Sequence, residues 1–236
     1  MKIIYTIHSL SNSGGMERVI TLKANYLVEK FNYDVSIILY DQLDTTTYYE
    51  LNPKITLVCL SDISTRSIFK FLHISQYIKS KKPDVYICTG GKDIVLARYL
   101  PSDFNMYLEL HFCFKFPYLR EVSRNSSILF KFISLLKVLR NIYYARFYGT
   151  IISLTDKDAL LWRKFTGVKS ITIPNPAQFK QVLRNGCNSD FKRFIAVGRL
   201  DSQKGFQDII KIFALVKSNN WRLDIYGSGE QLNSLL

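Results

Sequence analysis

The four cysteines, Cys59, Cys88, Cys113 and Cys187, stand far apart, with no C-x-x-C pair and no His/Cys ligand spacing. That excludes a disulfide framework or a zinc module, and predicts buried thiols of a reduced compartment. No uninterrupted apolar run is long enough to cross a bilayer. Met1 to Ile7 carries a lysine and an apolar stretch, but His8, Ser9, Asn12 and Ser13 follow too soon for a signal-peptide core. The expectation is a cytoplasmic chain, able to sit peripherally on the inner face of a membrane. Acidic residues are scarce too: 19 Asp and Glu stand against 32 Lys and Arg, a formal net charge of +13. A polyanionic partner is expected, whether nucleic acid, an anionic membrane surface or phosphorylated substrates, and charge alone does not choose among them.

The 236 residues alternate between short apolar strands and helical patterns. Strands are predicted at Lys2–Ile7, Asp34–Tyr40, Ile55–Leu60, Val85–Cys88, Met106–Phe112, Ile151–Leu154 and Ser170–Ile173, with helices between most of them. Steady strand-helix-strand alternation argues an α/β, parallel doubly wound sheet. Helical spacing over Met16, Val19, Ile20, Lys23 and Leu27 leaves Glu17 and Arg18 on the polar side. A second helix, Ser67 to Lys79, places Ile68, Phe71, Leu72 and Ile78 on its apolar side and His73 as a surface or packing residue. Thr155 with Asp158 signals a helix start and Gly167 its stop. Pro174-Asn175-Pro176 can neither continue a strand nor open a helix at once. The predicted organisation is residues 1–173 as a Rossmann-like N-terminal domain, 174–190 as a linker, and 191–236 as the first part of a second Rossmann-like domain.

The second part is built around Phe194 to Phe206. Ile195, Ala196 and Val197 read as a strand buried on both faces. Gly198 turns the backbone, Arg199 and Lys204 place two cations there, and Gly205 opens a helix through Ile209, Ile210, Ile212 and Phe213. A cationic turn beside a helix N-terminus suits a phosphate or diphosphate, although an ordinary turn with solvated cations has the same spacing. Trp221 to Tyr226 then runs into Gly227-Ser228-Gly229. Together Gly198-Arg199-Leu200, Lys204-Gly205 and Gly227-Ser228-Gly229 resemble the motifs of family-4 glycosyltransferases of the two-domain GT-B type.

The resemblance covers nearly the whole chain. It extends to Gly14, Gly15, Glu17 and Arg18, matching a G-G-x-E-R turn, to Ile173-Pro174-Asn175-Pro176 at the domain junction, and to His111 at a strand end. It departs at Leu110, where several relatives carry Glu; Glu109, one step earlier, shares a strand face with His111. Relatives also continue through further strands, a pair of donor-binding glutamates and a returning helix, so the chain is expected to be C-terminally truncated.

What the resemblance implies is a retaining, hexosyl-type glycosyltransferase of cell-surface polysaccharide biosynthesis. A UDP- or GDP-linked sugar is the substrate, with no metal and no further cofactor. Arg199 and Lys204 would stabilise the leaving diphosphate and His111 would contact the sugar. Gly14, Gly15, Gly198, Gly227 and Gly229 would approach the donor, and the acceptor would be a glycan or a polyprenyl-diphosphate-linked sugar. An inactive piece that still binds an acceptor lipid or membrane is the alternative. A nucleic-acid-binding protein accounts for the charge equally well, but no nucleic-acid module is found.

From Val122 to Thr155 there are five basic residues and no acidic one. The wheel gathers Ile128, Phe132, Leu135, Leu136, Leu139, Ile142 and Tyr143 on one side, with Ser134, Lys137 and Asn141 opposite. That stripe either faces an anionic bilayer, with Lys131, Lys137 and Arg140 among the headgroups, or buries itself in the core.

Overall fold

The computed structural model describes residues 1–59, 69–123, 127–176, 192–202, 204–216 and 220–235. The chain divides into two compact units, Met1–Ala177 and Gln178–Leu236. Most of the expected linker, together with Leu60, Ser67, Ile68, Arg124 and Cys187, lies outside the described residues.

Unit one holds a seven-stranded parallel sheet. Its strands are β1 Lys2–Ile7, β2 Asp34–Leu39, β3 Thr56–Cys59, β4 Val85–Cys88, β5 Asn105–Leu110, β6 Thr150–Ser153 and β7 Lys169–Thr172, in the order β3-β2-β1-β4-β5-β6-β7. The helices are α1 Gly15–Phe31, α2 Lys70–Lys81, α3 Phe116–Ser123, α4 Ile128–Ala145 and α5 Asp156–Thr166, with a 3₁₀ helix at Lys92–Tyr99. Order reverses at β1, which pairs with β2 on one side and β4 on the other, and in such sheets the carboxyl edge at that switch is where ligands bind.

Strand alternation sorts the core. Ile3, Tyr5 and Ile7 of β1 meet Ile20, Ala24 and Val28 of α1 on one face. Ile4, Tyr86 and Leu108 turn to the other, with Ile74 and Ile78 of α2, Val138 of α4 and Trp162 of α5. The α5 boundaries follow local chemistry. Thr155 Oγ1 accepts from the Asp158 amide at 3.3 Å, and Gly167 closes the helix in the left-handed region at φ 76°.

Unit two contains β8 Lys192–Val197 paired in parallel with β9 Trp221–Tyr226, α6 Phe206–Ala214 and the short α7 Leu232–Leu235. The expectation that Ile195 and Val197 are buried on both faces is wrong: they are 61% and 76% exposed. Period two explains it. Phe194, Trp221 and Leu223 line an apolar cavity of about 350 Å³ with Ile209, Ile212, Phe213 and Val216. Ile195 and Val197 alternate to the opposite side, where Asp224 takes Arg193 and Arg222 at its two oxygens.

Three smaller expectations also change. Of the described cysteines only Cys88 is buried; Cys113 is exposed at the turn after β5, and Cys59 is intermediate with its thiol on the Asp44 carbonyl. On α2 the buried positions are Ile74, Ser75 and Ile78, while Leu72 faces outward. On α4 the core-facing line is Ser134, Val138 and Ala145, so Ser134 is buried rather than opposite the core. The leucine stripe of Leu135, Leu136 and Leu139 is the exposed side. The inner line packs toward the buried cluster that holds Tyr148, Ile151 and Trp162, with α3, α5 and the 3₁₀ helix as its neighbouring helices.

Candidate active site

The loops leaving β1, β2, β4 and β5 meet at the carboxyl edge of unit one. Between them lies a cavity of about 290 Å³ lined by His8, Met16, Tyr40, Asp41, Thr89, Gly90, Gly91, Lys92 and Phe112. That is the lower end of the range for small-molecule sites, enough for a sugar ring. Asp41 accepts from Lys92 Nζ at 3.2 Å and Lys70 Nζ at 3.3 Å. Burial raises its carboxyl, but the bonds and charges of the two lysines outweigh that and leave it below the ordinary carboxylate range.

Beneath this cavity is a buried polar cluster. Asp93 accepts from the Thr6 hydroxyl at 2.6 Å and from the Gly91 amide at 2.8 Å, and the Tyr40 hydroxyl accepts from the Lys92 amide at 3.2 Å. Asp93 is fully buried, and desolvation drives its carboxyl above the ordinary value despite those donors. Its chemistry is structural: it ties the Gly90-Gly91 turn to β1 and so shapes the floor of the cavity.

A second set of charges lies on the α1 face of the sheet. Glu109, with 4% of its side chain exposed, accepts from Lys23 Nζ of α1 at 2.5 Å, and its other oxygen lies 3.1 Å from His111 Nε2. Burial raises the Glu109 carboxyl, but His111 and Lys23 more than compensate and hold it low. The His111 contact is short yet off-line for a straight bond. Neither ring nitrogen of His111 therefore has an aligned hydrogen-bond partner among the described residues, although the side chain is 96% buried. His8, at the end of β1, faces another buried carboxylate, with Nε2 3.6 Å from Glu17 Oε1.

Glu17 was expected on the polar side of α1, and its burial reflects a fold-back over the helix start. A Cβ at Gly14 would collide with the Glu17 carboxylate, while one at Gly15 would meet nothing within 4 Å. Of the two glycines Gly14 is the one whose added side chain would displace a neighbour, the far end of the flexible Glu17 side chain.

In unit two, the turn after β8 packs on the turn after β9. The Leu200 amide donates to the Ser228 carbonyl at 2.9 Å, and the Gln231 amide to the Leu200 carbonyl at 3.0 Å. A Cβ on Gly227 would strike the Gly198 carbonyl, and one on Gly229 the Leu200 backbone. These two glycines thus serve turn-on-turn packing. Arg199 is 76% exposed and lies 3.3 Å from Asp201, while Lys204 is exposed with its stem beside Gly198, at the mouth of α6. The two cations flank one turn, as their spacing suggests.

Comparison with known proteins agrees with this architecture. The chain overlays the lipopolysaccharide outer core galactosyltransferase WaaB in its apo form with a TM-score of 0.69 at 17% identity, covering 100% of this chain and 63% of that one. The fold is of the GT-B type. Sucrose-phosphate synthase from Thermosynechococcus elongatus gives 0.62 at 13% identity over 95% of this chain and 61% of that one. By sequence the GT-B chain is 28% identical to the amylovoran biosynthesis glycosyltransferase AmsD of Erwinia amylovora over its whole length. It is 25% identical to an uncharacterized glycosyltransferase of Haemophilus influenzae over 99% of its length. It spans 64% of the length of each of these two relatives. No family model matches.

The structure gathers the predicted residues in three places. His111, Gly14 and Gly15 belong to the carboxyl edge of unit one. Gly198, Arg199, Lys204, Gly227 and Gly229 belong to the stacked turns of unit two. Lys131, Lys137 and Arg140 lie on α4, Lys131 half-buried and the other two exposed. Sequence reasoning missed Lys23, Asp41, Lys92 and Asp93, and gave Glu109 no role. Glu109 and His111 on one strand face were the available signal. Lys23, 86 positions from Glu109, left no local trace. Among the described residues no cluster of three or more His, Cys, Asp or Glu could hold a metal ion.

Proposed function

We propose that the chain is the acceptor-side domain and the beginning of the donor-side domain of a glycosyltransferase. It would move a sugar from a UDP- or GDP-linked donor to a glycan or lipid-linked acceptor in surface polysaccharide biosynthesis. The observation that carries this reading is the chain-long similarity to two proteins named as glycosyltransferases, one of them for amylovoran biosynthesis. The geometry fits the chemistry. Arg199 and Lys204 flank a glycine turn at a helix N-terminus, where a diphosphate meets two cations and oriented amides. As the donor bond breaks, negative charge builds on the leaving diphosphate and both cations stabilise it. Retention of configuration and family-4 membership belong to this reading through the motif resemblance. The cavity walled by Asp41 and Lys92 is where we place the acceptor, its hydroxyls meeting a carboxylate and an ammonium.

Calorimetry with UDP, GDP and their sugars tests this, on the wild-type chain and on the double variant Arg199→Ala, Lys204→Ala. Each charge-assisted contact contributes about 1.5 kcal/mol, so the double change is expected to weaken binding about 100-fold. A folded chain that binds no nucleotide sinks the donor assignment and favours the inactive acceptor-side alternative.

A second element of the reading is contact with an anionic membrane surface through α3 and α4. No helix among the described residues is long and apolar enough to cross a membrane. Yet α4 exposes Leu129, Phe130, Phe132, Leu135, Leu136 and Leu139, and α3 adds Leu119 and Val122. Exposed leucines beside Lys137 and Arg140, with no acidic residue on the helix, match the headgroup boundary of an anionic bilayer. Vesicle sedimentation against an oligonucleotide shift at matched salt separates lipid from nucleic acid. Charge reversal at Lys131, Lys137 and Arg140 that leaves vesicle binding intact ends the idea.

A further inference from the structure

Phe112, Phe114 and Phe116 alternate with other residues along the chain after β5, and the structure uses them differently. Phe114 is buried, with its ring centroid 4.8 Å from that of Trp162 and 5.1 Å from that of Phe165, and its amide donates to the Asp158 carboxylate at 2.9 Å. That anchors the loop to α5. Phe112 is 52% exposed and lines the cavity at the carboxyl edge. Phe116, the first residue of α3, stacks on it with ring centroids 4.4 Å apart and planes 22° from parallel. One ring face is spent on that stack, so what stays accessible is the opposite face and the rim. A phenylalanine this exposed contributes little to the core, yet the anchored loop and the stacked neighbour hold it in place.

We propose that Phe112 is the stacking platform for the acceptor sugar, with Phe116 as its positioning residue, and that the cavity takes a pyranose of gluco or galacto configuration. This rests on the acceptor occupying that cavity. An aromatic face carries partial negative charge, and the axial C–H bonds of a pyranose carry the partial positive charge that complements it. A β-glucoside or β-galactoside turns a face of axial hydrogens to one side, while its hydroxyls project around the ring. The cavity lining offers both kinds of partner, the apolar Phe112 and Met16 and the charged Asp41 and Lys92. Asp41 accepts from a hydroxyl and Lys92 donates to one, while the flat apolar face is what a phenyl ring reads. An axial hydroxyl on the stacked face would lose its water against the ring and gain no partner, so sugars that carry one are rejected.

The test is proton NMR of methyl β-D-glucoside and methyl β-D-galactoside titrated with the full chain, with calorimetry in parallel. Methyl β-D-alloside, whose third hydroxyl is axial on the stacked face, is the contrasting probe. The expected result is binding with an upfield shift of the axial ring protons, because protons over an aromatic face are shielded. Phe112→Ala is expected to weaken both glycosides about tenfold and to abolish the shift, and Phe112→Leu, apolar but without a ring, to do the same. Phe112→Tyr should keep both affinity and shift. The alloside should bind the wild type about tenfold more weakly than the glucoside, and the Phe112→Ala variant no more weakly. Asp41→Asn alters the same cavity from its charged side and locates the sugar there. Binding that falls with Asp41→Asn, but neither shows the shift nor responds to Phe112→Ala, overturns the platform and leaves the acceptor placement standing. If no glycoside binds, or binding ignores both variants, the acceptor placement and the platform fall together. Phe112→Ala that costs vesicle binding and spares glycoside binding assigns the ring to the membrane contact instead and overturns the platform. Thermal unfolding checks that each variant is folded, and the shift in the wild type needs no variant.

Discussion

Thr6 and Asp93 meet at 2.6 Å inside unit one, 87 positions apart, and through this bond the turn that floors the cavity is tied to the first strand of the sheet. Among the described residues no cation pairs with the carboxylate, which is fully buried and pushed up by desolvation. The folded chain therefore binds that proton more tightly than the unfolded one. Between the unfolded value, near 3.8, and the raised folded value, stability contributed at Asp93 falls as pH rises. Asp93→Asn lacks this slope. At low pH, where the wild-type group is protonated and offers, like the amide, a donor and one carbonyl acceptor, the variant is expected to match the wild type within about 1 kcal/mol. As pH rises through the carboxylate range the variant should become the more stable of the two, as measured by urea unfolding of unit one at a series of pH values.

Glu109 carries the opposite sign. Its folded value is depressed, so its stabilisation is complete above the unfolded carboxyl value and is lost as pH falls through the folded one. Lys23→Met removes the partner at 2.5 Å and leaves the carboxylate buried beside His111 alone. Breaking a buried pair costs about 3–5 kcal/mol, and the 30% exposure of Lys23 puts the expected loss at the lower end. Denaturant midpoints should show that loss at neutral pH and a shrinking difference in acid. Lys23→Met with Glu109→Gln should recover most of it; a double variant as unstable as the single one would mean that the charge pair is not what is being lost.

Much of this architecture is legible in the residues. Thr155, Asp158 and Gly167 announce both ends of α5 because capping is local chemistry, and the strand ends of the parallel sheet follow its apolar runs. What escapes is whatever depends on the other side of a packed layer. Ser134 reads as a polar position, yet it lies on the buried line of α4 with Val138 and Ala145. Ile195 and Val197 read as buried, yet only one face of β8 is covered by α6. Glu17 and Glu109 read as solvated or idle, because the residues that bury and pair them come from other elements. A helical wheel shows that α4 has a stripe; it does not show which side meets the core.

The stacked turns of unit two give a backbone test. Gly227→Ala places a methyl group on the Gly198 carbonyl, and Gly229→Ala one on the Leu200 backbone, where neither neighbour is a flexible side chain. Each is expected to destabilise unit two by about 1–3 kcal/mol. Gly15→Ala has open space and should leave unit one unchanged within about 0.5 kcal/mol. Amide hydrogen exchange over β8, β9 and α6 reads the first pair, and thermal unfolding reads the last.

The orientation of α4 can be tested without any membrane. If Ser134, Val138 and Ala145 face the core, Val138→Asp buries an unpaired carboxylate and should unfold unit one or cost several kcal/mol. Leu136→Gln and Leu139→Gln, on the exposed side, should change stability by no more than about 0.5 kcal/mol each. The pattern matters because the same leucines carry the proposed lipid contact. Neutral stability together with lost vesicle binding would assign them to a surface partner. A large stability loss at Leu136 or Leu139 would instead mean that the stripe is packed within the protein, leaving Lys137 and Arg140 as ordinary solvated charges.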